Sequence, residues 1–327
     1  MKQKICSIIG TRPQSFKVLP ESVVVNTGQH YDENMMDTHL KDMKVKPKYN
    51  LGCSSDEFGL MTDKCREIIK KEKPDIGLVY GDTYSTLAGA IAFSLENIPF
   101  GHVEAGLRSH DKTMPEEKNR ILADVAATWR FAPTHAAMRN LYEEGLGMGS
   151  HHIPDPLFWS LNNFVPLKKA KDFGTYIFAT IHRRDNLEPD NLNAIMEGFG
   201  LIKERIYFPI HPHTKRIINK HKIKIPKNVE VAKPQSRKTT LSKIYNSKLV
   251  ITDSGGIQRE AYWMLRHSLI IRPVSEWVEI VEDGWSTLLP ANAIKISEAV
   301  KEYKHLKMPD LPKGNPYQKI KEKLEDI

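Results

Sequence analysis

Acidic side chains end two neighbouring strands predicted in the first half of the chain. Gly81-Asp82-Thr83 follows the apolar run 76–80, and Glu104 ends the next apolar run, 100–104. Because the carboxyl ends of parallel strands meet at one edge of a sheet, we expect Asp82 and Glu104 to project toward the same crevice. Asp82 is also typical of a helix cap, whereas a carboxylate that ends an apolar strand is costly unless it is paired or used. Glu104 is therefore the stronger candidate for acid or base chemistry.

A third carboxylate comes at the start of a predicted helix. The helix begins with Met114-Pro115-Glu116-Glu117, a pattern that ordinary helix-start preferences also produce. The sequence leaves Glu116 balanced between a structural and a catalytic role, and it favours a structural role for Glu117. Three carboxylates in one crevice can divide acid and base duties, because repulsion and desolvation separate their pKa values.

The second half of the chain carries a glycine-rich turn between a strand and a helix. The apolar run 249–252 leads into Asp253-Ser254-Gly255-Gly256, and Glu260 follows one turn into the helix. Glycines let a backbone approach a phosphate, and a helix N-terminus adds free N–H donors. The segment matches neither a Walker loop nor a G-x-G-x-x-G loop. We expect Ser254, Gly255 and Gly256 to bind a phosphate and Glu260 to accept hydrogen bonds from a ribose.

Cationic residues follow the first predicted strand, 5–9. Gly10-Thr11-Arg12-Pro13 comes directly after it, and Lys17 lies a few residues further on. A glycine at a strand end permits a tight turn, and Arg12 and Lys17 beside it could face an anion. An ordinary turn with surface cations explains the segment equally well.

Histidines follow two strands of the second half. His182-Arg183-Arg184 comes after the strand 176–180, where its side chains suit a diphosphate leaving group. His211-Pro212-His213 comes after the strand 206–210. These two imidazoles could be a metal pair, but the spacing supplies no third ligand, so no metal site is expected.

Short β-branched runs alternate with longer helical stretches along the whole chain. This alternation predicts parallel sheets covered by helices on both faces. The predicted strands are 5–9, 22–26, 76–80, 100–104, 129–132, 176–180, 206–210, 229–231, 249–252 and 268–271. The fold class is therefore α/β, with two αβα Rossmann-like domains.

Length and composition suggest where these domains divide. A chain of 327 residues corresponds to two domains of ordinary size, and the Lys-rich stretch 162–172 has the polar composition of an interdomain linker. We expect an N-terminal domain at 1–162 that holds the carboxylates and a C-terminal domain at 173–307. A last helix within 308–327 is expected to pack back on the first domain.

Charge and cysteine content restrict the partners of the chain. A formal charge of +8 favours anionic partners. The basic residues are scattered without interleaved aromatic residues, which argues against nucleic acid, and no apolar run approaches the length of a membrane helix. Three widely spaced cysteines are typical of reduced thiols and predict a cytoplasmic protein.

In chain order, these segments resemble the non-hydrolysing UDP-N-acetylglucosamine 2-epimerases. The similarity spans nearly the whole chain, and the set of motifs is far more specific than any one of them. The matching segments are G-T-R-P at 10–13, N-T-G-Q-H-Y at 26–31, G-D-T at 81–83, H-V-E-A-G-L-R-S at 102–109, M-P-E-E-x-N-R at 114–120, F-A-P-T at 131–134, H-R-R at 182–184, H-P at 211–212 and T-D-S-G-G-I-Q at 252–258.

The resemblance implies a fold and a reaction. The fold would be like that of B-type glycosyltransferases, with the active site in the interdomain cleft and UDP held mainly by the second domain. The reaction would convert UDP-GlcNAc reversibly to UDP-ManNAc by eliminating UDP to leave 2-acetamidoglucal. It would need no nicotinamide, no other cofactor and no metal. Family members are commonly homodimers.

The resemblance also implies roles for individual residues. Asp82, Glu104 and Glu116 would move the C2 proton, and His182 would join them as a catalytic residue. The positions implied in substrate binding are Arg12, Lys17, His211, Ser254, Gly255, Gly256 and Glu260. Gln29 and His30 match part of a second, activating UDP-GlcNAc site.

The sequence departs from the family pattern at several positions, none of which is an implied catalytic residue. Gln14 and Arg259 stand where the family has glutamate, and 236–240 replaces a segment with an aromatic residue that helps to hold uracil. Only about a dozen residues join the first two predicted strands, near the minimum for a parallel crossover. The family has a full helix there. Of an interdomain signature, only Asp155 is kept.

Other functions stay open at this point. A hydrolysing relative would release UDP and N-acetylmannosamine through the same first step. A B-type glycosyltransferase would need an acceptor site. A sugar-nucleotide-binding protein without turnover would keep the fold, because fold alone does not establish function.

Overall fold

The chain forms two compact units that are each built on one parallel sheet. The structure is a computed structural model that describes residues 3–29, 46–161, 174–303 and 311–325. Unit 1 comprises Met1–Ser160 and Pro312–Ile327, and unit 2 comprises Leu161–Leu311. The predicted linker at 162–172 lies outside the described residues.

Unit 1 contains seven parallel strands in the order β3-β2-β1-β4-β5-β6-β7. Its strands are β1 (Ile5–Ile9), β2 (Val23–Asn26), β3 (Tyr49–Asn50), β4 (Ile76–Tyr80), β5 (Phe100–Val103), β6 (Trp129–Ala132) and β7 (Ser150–His152). Its helices are Arg12–Ser15, Phe58–Glu72, Tyr84–Leu95, Pro115–Ala126, His135–Glu143, Pro156–Leu161 (which ends at the unit boundary) and Pro316–Glu325. The direction of strand addition reverses between β1 and β4, which is where doubly wound sheets bind ligands.

The last helix of the chain supplies part of the core of unit 1. Ile320 and Leu324 are buried in one apolar cluster with residues of β1, β2 and β4. The crossover from β1 to β2 contains only the short helix Arg12–Ser15, and its Val18 and Leu19 are buried in the same cluster. The C-terminal helix therefore completes a core to which the crossover also contributes.

Unit 2 contains six parallel strands in the order β10-β9-β8-β11-β12-β13. Its strands are β8 (Tyr176–Thr180), β9 (Arg205–Pro209), β10 (Val229–Ala232), β11 (Leu249–Thr252), β12 (Ser268–Ile271) and β13 (Ser286–Leu289). Its helices are Pro189–Leu201, Pro212–His221, Arg237–Tyr245, Gly255–Trp263, Val278–Glu282 and Ala293–Glu302. Its reversal point lies between β8 and β11.

Two helices pack closely on one face of the second sheet. A side chain at Gly198 would place its Cβ 3.1 Å from the Cα atom of Ala293. Glycine at this position therefore lets Pro189–Leu201 approach Ala293–Glu302. Both helices bury apolar residues in the main core cluster of unit 2.

The predicted α/β fold class is confirmed, and every strand predicted from the sequence is present. Three further strands, β3, β7 and β13, are present that the sequence pattern does not predict. Two residues make up β3, and β7 reads Ser-His-His, so neither shows the apolar pattern of a buried strand. Among the described helices, none is long and apolar enough to cross a membrane.

Candidate active site

Glu104 lies at the carboxyl end of β5 in an uncommon backbone conformation. Its φ is +75°, a left-handed value that non-glycine residues seldom adopt and that clusters at functional sites. Its carboxylate forms an ion pair with Lys17, and the two side chains are only 11% and 6% exposed. A Cβ at Gly81 would lie 3.5 Å from Glu104 Oε2. The carboxylate is thus fixed beside the turn that ends β4.

Asp82 follows that turn and is held by the helix Pro115–Ala126. Arg120 pairs with the Asp82 carboxylate, and Asn119 donates to its main-chain oxygen at 3.0 Å. The half-buried Glu116 lies three and four residues before Asn119 and Arg120, so it occupies the same helix face. The structure therefore brings the ends of β4 and β5 together and places Glu116 on the helix face that contacts Asp82.

Glu117 has the structural role that the sequence favours. It accepts hydrogen bonds from the main-chain N–H groups of Ser109 and His110, each at 2.9 Å, and pairs with Arg120 at 2.7 Å. Burial alone would raise the pKa of Glu117, but the hydrogen bonds from Ser109 and the charge of Arg120 outweigh it and lower the pKa.

Gln14 joins the turns after β1 and β4. Its Oε1 accepts from the N–H groups of Gly10 and Thr11 at 2.7 and 3.0 Å. Its Nε2 donates to the carbonyl oxygen of Tyr80 at 2.5 Å and to the hydroxyls of Thr83 and Thr86, each at 2.9 Å. A carboxylate could not donate to the Tyr80 carbonyl, so the amide has a specific reason to be here. From the sequence alone, Gln14 is only the loss of a family carboxylate.

In unit 2, Asp253 anchors the loop that carries His182. Asp253 is fully buried and accepts from the N–H groups of His182 and Arg183 at 2.9 and 2.8 Å and from Asn186 Nδ2 at 3.1 Å. Burial alone would raise its pKa, but the His182 ring and these backbone donors outweigh burial and lower the pKa of Asp253. Asp253 lies within the T-D-S-G-G-I-Q segment, and the sequence pattern assigns no role to it. Its position between an apolar strand and Ser254 was the available signal.

His182 itself is oriented by the same carboxylate. Its Nδ1 lies 3.1 Å from Asp253 Oδ1, and its side chain is 39% exposed. With Nδ1–H directed at Asp253, Nε2 points away from the carboxylate and is available to a ligand. The His211 ring lies beside it, with the two ring centroids 6.2 Å apart.

His211 caps the helix Pro212–His221. Its Nδ1 accepts from the N–H of His213 at 3.2 Å, so the neutral ring carries its proton on Nε2. Among the described residues, no group of three or more histidine, cysteine or acidic side chains is arranged to hold a metal ion.

The two glycines that follow Ser254 have different surroundings. A Cβ on Gly255 would lie 2.1 Å from Glu276 Oε1, whereas a Cβ on Gly256 would meet only Ser254 Oγ, at 3.9 Å. Ser254 Oγ accepts from the N–H of Ile257 and caps the helix Gly255–Trp263. A side chain at 255 would thus displace the Glu276 carboxylate, which pairs with Arg272, while position 256 borders open space in front of a helix N-terminus. Ser254, Gly255 and Gly256 are called the glycine loop below.

The helix that begins at the glycine loop is tied to its neighbours by ionic contacts. Glu260 pairs with Arg237, and both side chains are largely buried. Arg259 is 2% exposed and stacks on two indoles, with its Cζ 3.7 Å from the ring centroid of Trp277 and 5.2 Å from that of Trp263. The residue that replaces a family glutamate therefore makes cation–π contacts with the segment that packs on Gly255.

The remaining predicted site residues are Arg12, Gln29 and His30. Arg12 begins the helix Arg12–Ser15, and its side chain lies outside the described part of the structure. Gln29 Oε1 accepts from the N–H and hydroxyl of Ser85 at 2.9 and 2.7 Å. His30 lies outside the described residues.

Two Rossmann-like units, each built on one parallel sheet, define the fold class of the B-type glycosyltransferases. A spinosyn rhamnosyltransferase, 10% identical, shares the fold with a TM-score of 0.56 over 92% of this chain and 91% of its own.

Comparisons with known proteins identify the family. The family model of UDP-N-acetylglucosamine 2-epimerase matches residues 18–323. A UDP-N-acetylglucosamine 2-epimerase homolog of Methanococcus maripaludis is 39% identical, with 92% of each chain covered. A UDP-2,3-diacetamido-2,3-dideoxy-D-glucuronate 2-epimerase of Pseudomonas aeruginosa is 36% identical, with 91% of each covered.

A solved structure agrees with these relatives. The UDP-GlcNAc 2-epimerase of Methanocaldococcus jannaschii, crystallised with UDP-GlcNAc and UDP, superposes with a TM-score of 0.88 at 32% identity, covering 98% of this chain and 99% of its own. The chain belongs to the UDP-N-acetylglucosamine 2-epimerase family, and the resemblance inferred from its motifs is confirmed.

Proposed function

We propose that the protein interconverts UDP-GlcNAc and UDP-ManNAc by reversible elimination of UDP. A base removes the C2 proton, the C1–O bond breaks, and UDP leaves with the bonding electron pair to give 2-acetamidoglucal. UDP then adds back to C1 while C2 receives a proton on the opposite face. Atoms and charge balance without a redox cofactor.

Unit 1 supplies the acid and base groups in this proposal. The Lys17 ammonium beside Glu104 favours the charged, proton-accepting form of that carboxylate. Asp82 is 34% exposed and Glu116 is half-buried, so both are accessible for a proton transfer on the other face. General acid–base catalysis needs such groups within hydrogen-bonding reach of the reacting atom.

Unit 2 holds the nucleotide diphosphate. The N–H groups at the glycine loop, together with the open space beside Gly256, suit phosphate oxygens. His182, oriented by Asp253, stabilises the negative charge that develops on the leaving diphosphate, and His211 lies next to it. Arg12 and Glu260 keep the binding roles inferred from the family pattern, on the diphosphate and the ribose.

The observation that carries the proposal is the strained, Lys17-paired Glu104 beside the turn that leads to Asp82. A proton NMR time course of the purified protein with UDP-GlcNAc in D₂O tests it. We expect UDP-ManNAc to appear and deuterium to enter C2 of both sugars. Free UDP with N-acetylmannosamine would instead identify a hydrolysing enzyme. Bound but unchanged UDP-GlcNAc would indicate a binding protein without turnover or a different sugar.

A second candidate substrate is a modified sugar nucleotide. It is favoured by the P. aeruginosa relative, whose name specifies a diacetamido glucuronate. The elimination would be the same, because only substituents away from C1 and C2 differ. Parallel time courses with both UDP-sugars distinguish them, since the true substrate should show the larger kcat/KM.

The family pattern also supports a homodimer and a second UDP-GlcNAc site that involves Gln29 and His30. Light scattering measures the molar mass directly. Activation of the reverse reaction by added UDP-GlcNAc would support the second site, and a simple hyperbolic dependence would count against it.

A further inference from the structure

A fully buried histidine lies behind the carboxylates of unit 1. His102 is on β5 and Asp124 is on the helix Pro115–Ala126, and both are 0% exposed. His102 Nδ1 lies 2.7 Å from Asp124 Oδ1, and His102 Nε2 lies 2.7 Å from the carbonyl oxygen of Gly81. The two ring nitrogens therefore face a carboxyl oxygen and a carbonyl oxygen.

The chemistry of these two partners restricts the protons on the ring. A main-chain carbonyl oxygen can only accept, so Nε2 must donate to Gly81. A neutral ring would then direct the Nδ1 lone pair at Asp124, which is repulsive if Asp124 is ionised. Either His102 carries both protons, or Asp124 donates a proton to Nδ1.

The other contacts of Asp124 select between these states. Its Oδ2 forms an ion pair with Arg108 Nη1 at 2.8 Å and accepts from the N–H of Gly106 at 3.1 Å. Donors on the second oxygen favour the ionised carboxylate, so the proton belongs on the ring.

Other charged groups surround the pair. Arg108 also forms a two-point ion pair with Glu144 at 2.7 and 2.6 Å. Arg130 Nε donates to the main-chain oxygen of Asp124 at 2.6 Å. If His102 is charged, the cations near the pair are His102, Arg108 and Arg130, and the anions are Asp124 and Glu144. Each buried charge then faces a partner of opposite sign or a carbonyl oxygen.

The residues that the His102–Asp124 pair contacts lie close along the chain to the proposed catalytic carboxylates. Gly81 precedes Asp82, Gly106 lies two residues after Glu104, and Asp124 is on the helix that begins beside Glu116. We propose that His102 is a buried imidazolium and that, with Asp124, it is the positioning group that aligns the catalytic carboxylates of unit 1. This role rests on the proposed epimerase reaction, whereas the charge on the ring does not.

Nitrogen-15 NMR of histidine-labelled protein tests the charge without any substrate. The His102 ring is assigned through its backbone resonances among the 13 histidines of the chain. Because both ring nitrogens face oxygen atoms, we expect both to be protonated at pH 7. A ring with a single protonated nitrogen at pH 7 would overturn the proposal.

The kinetic test is the substitution His102→Gln, which keeps one donor and removes the charge. We expect kcat to fall by roughly 10- to 100-fold, the range for orienting groups behind a catalytic site, with KM within about threefold of wild type. Asp124→Asn should lower kcat similarly, and the double variant should lose little more, because the two residues act as one unit.

A buried histidine of unit 2 serves as the matched control. His267 is also buried, at 2% exposure, but lies in unit 2, and His267→Gln should leave kcat within about twofold. Wild-type kcat in a folded His102→Gln variant would refute the positioning role. An inactive wild-type protein whose His102 ring is doubly protonated would instead contradict the proposed function and leave the charge assignment standing.

Discussion

The two units have the same strand order around their reversal points but opposite chemistry at the carboxyl edge of the sheet. In unit 1 the turns after β4 and β5 present Asp82 and Glu104. In unit 2 the turns after β8 and β11 present His182 and the glycine loop. The topology places residues of both units at the edge where doubly wound sheets bind ligands. The side chains distinguish the two edges, and we propose proton transfer in unit 1 and anion binding in unit 2.

A buried aspartate holds the loops of each edge. Asp124 in unit 1 bonds to Gly106 and His102, and Asp253 in unit 2 bonds to the backbone of His182 and Arg183. The pKa of each is lowered, because donors and cations outweigh the effect of burial. The same device thus orients carboxylates in one unit and an imidazole in the other.

The largest effect should come from unit 1. Glu104→Gln keeps the shape of the side chain and removes its charge, so we expect kcat to fall about 10³-fold, within the range for a general base, while the Kd for UDP stays within about threefold. Initial rates and calorimetric UDP binding measure this contrast. Glu143→Gln removes an exposed charge of the same unit as a control, and near-native turnover of Glu104→Gln would refute the assigned role.

A smaller effect is expected for the stability of unit 2. Asp253→Asn replaces an acceptor by a donor that faces backbone N–H groups, which should destabilise the fold by about 2–3 kcal/mol at pH 7. Because the folded pKa of Asp253 is lowered, its stabilising effect is present above the unfolded pKa of about 3.9 and is lost as pH falls through the folded pKa.

Urea unfolding at pH 7 and about pH 3 measures both the destabilisation by Asp253→Asn and its dependence on pH. The difference in free energy of unfolding between wild type and Asp253→Asn should narrow at the lower pH. Glu298 is an exposed carboxylate of the same unit, and Glu298→Gln should differ only slightly from wild type at either pH. A difference that widened on acidification would contradict the role of Asp253.

The smallest effects are expected in the glycine loop, where two alanine substitutions distinguish a packing role of Gly255 from a binding role of Gly256. Gly256→Ala should weaken UDP binding by about tenfold, or 1.4 kcal/mol, without changing the melting temperature, because its methyl group enters open space. Gly255→Ala should lower the melting temperature, since its Cβ would lie 2.1 Å from Glu276 Oε1. If Gly256→Ala binds UDP as wild type does, the diphosphate does not lie there.

The alternating pattern of apolar runs was enough to predict both sheets and the strand ends that carry Asp82, Glu104 and the glycine loop. Each of those strands is a short apolar segment whose signal is local. The three strands that the pattern did not predict lie at the sheet edges. Two of them, β3 and β7, have only two and three residues and lack an apolar run, whereas β13 reads Ser-Thr-Leu-Leu. The C-terminal helix and its packing on the first domain were expected from the sequence, but not which residues of β1, β2 and β4 share its apolar cluster.

The sequence by itself determined which chemical groups stand at the ends of which strands, because strand periodicity and turn residues act over a few positions. Only the tertiary structure decided which partner each group meets. Lys17 and Glu104 are 87 residues apart, Asp253 and His182 are 71 apart, and His102 and Asp124 are 22 apart. Such pairings depend on the distances that folding imposes between distant segments, and a buried charge is stable only where those distances bring it an opposite charge or a hydrogen-bond partner.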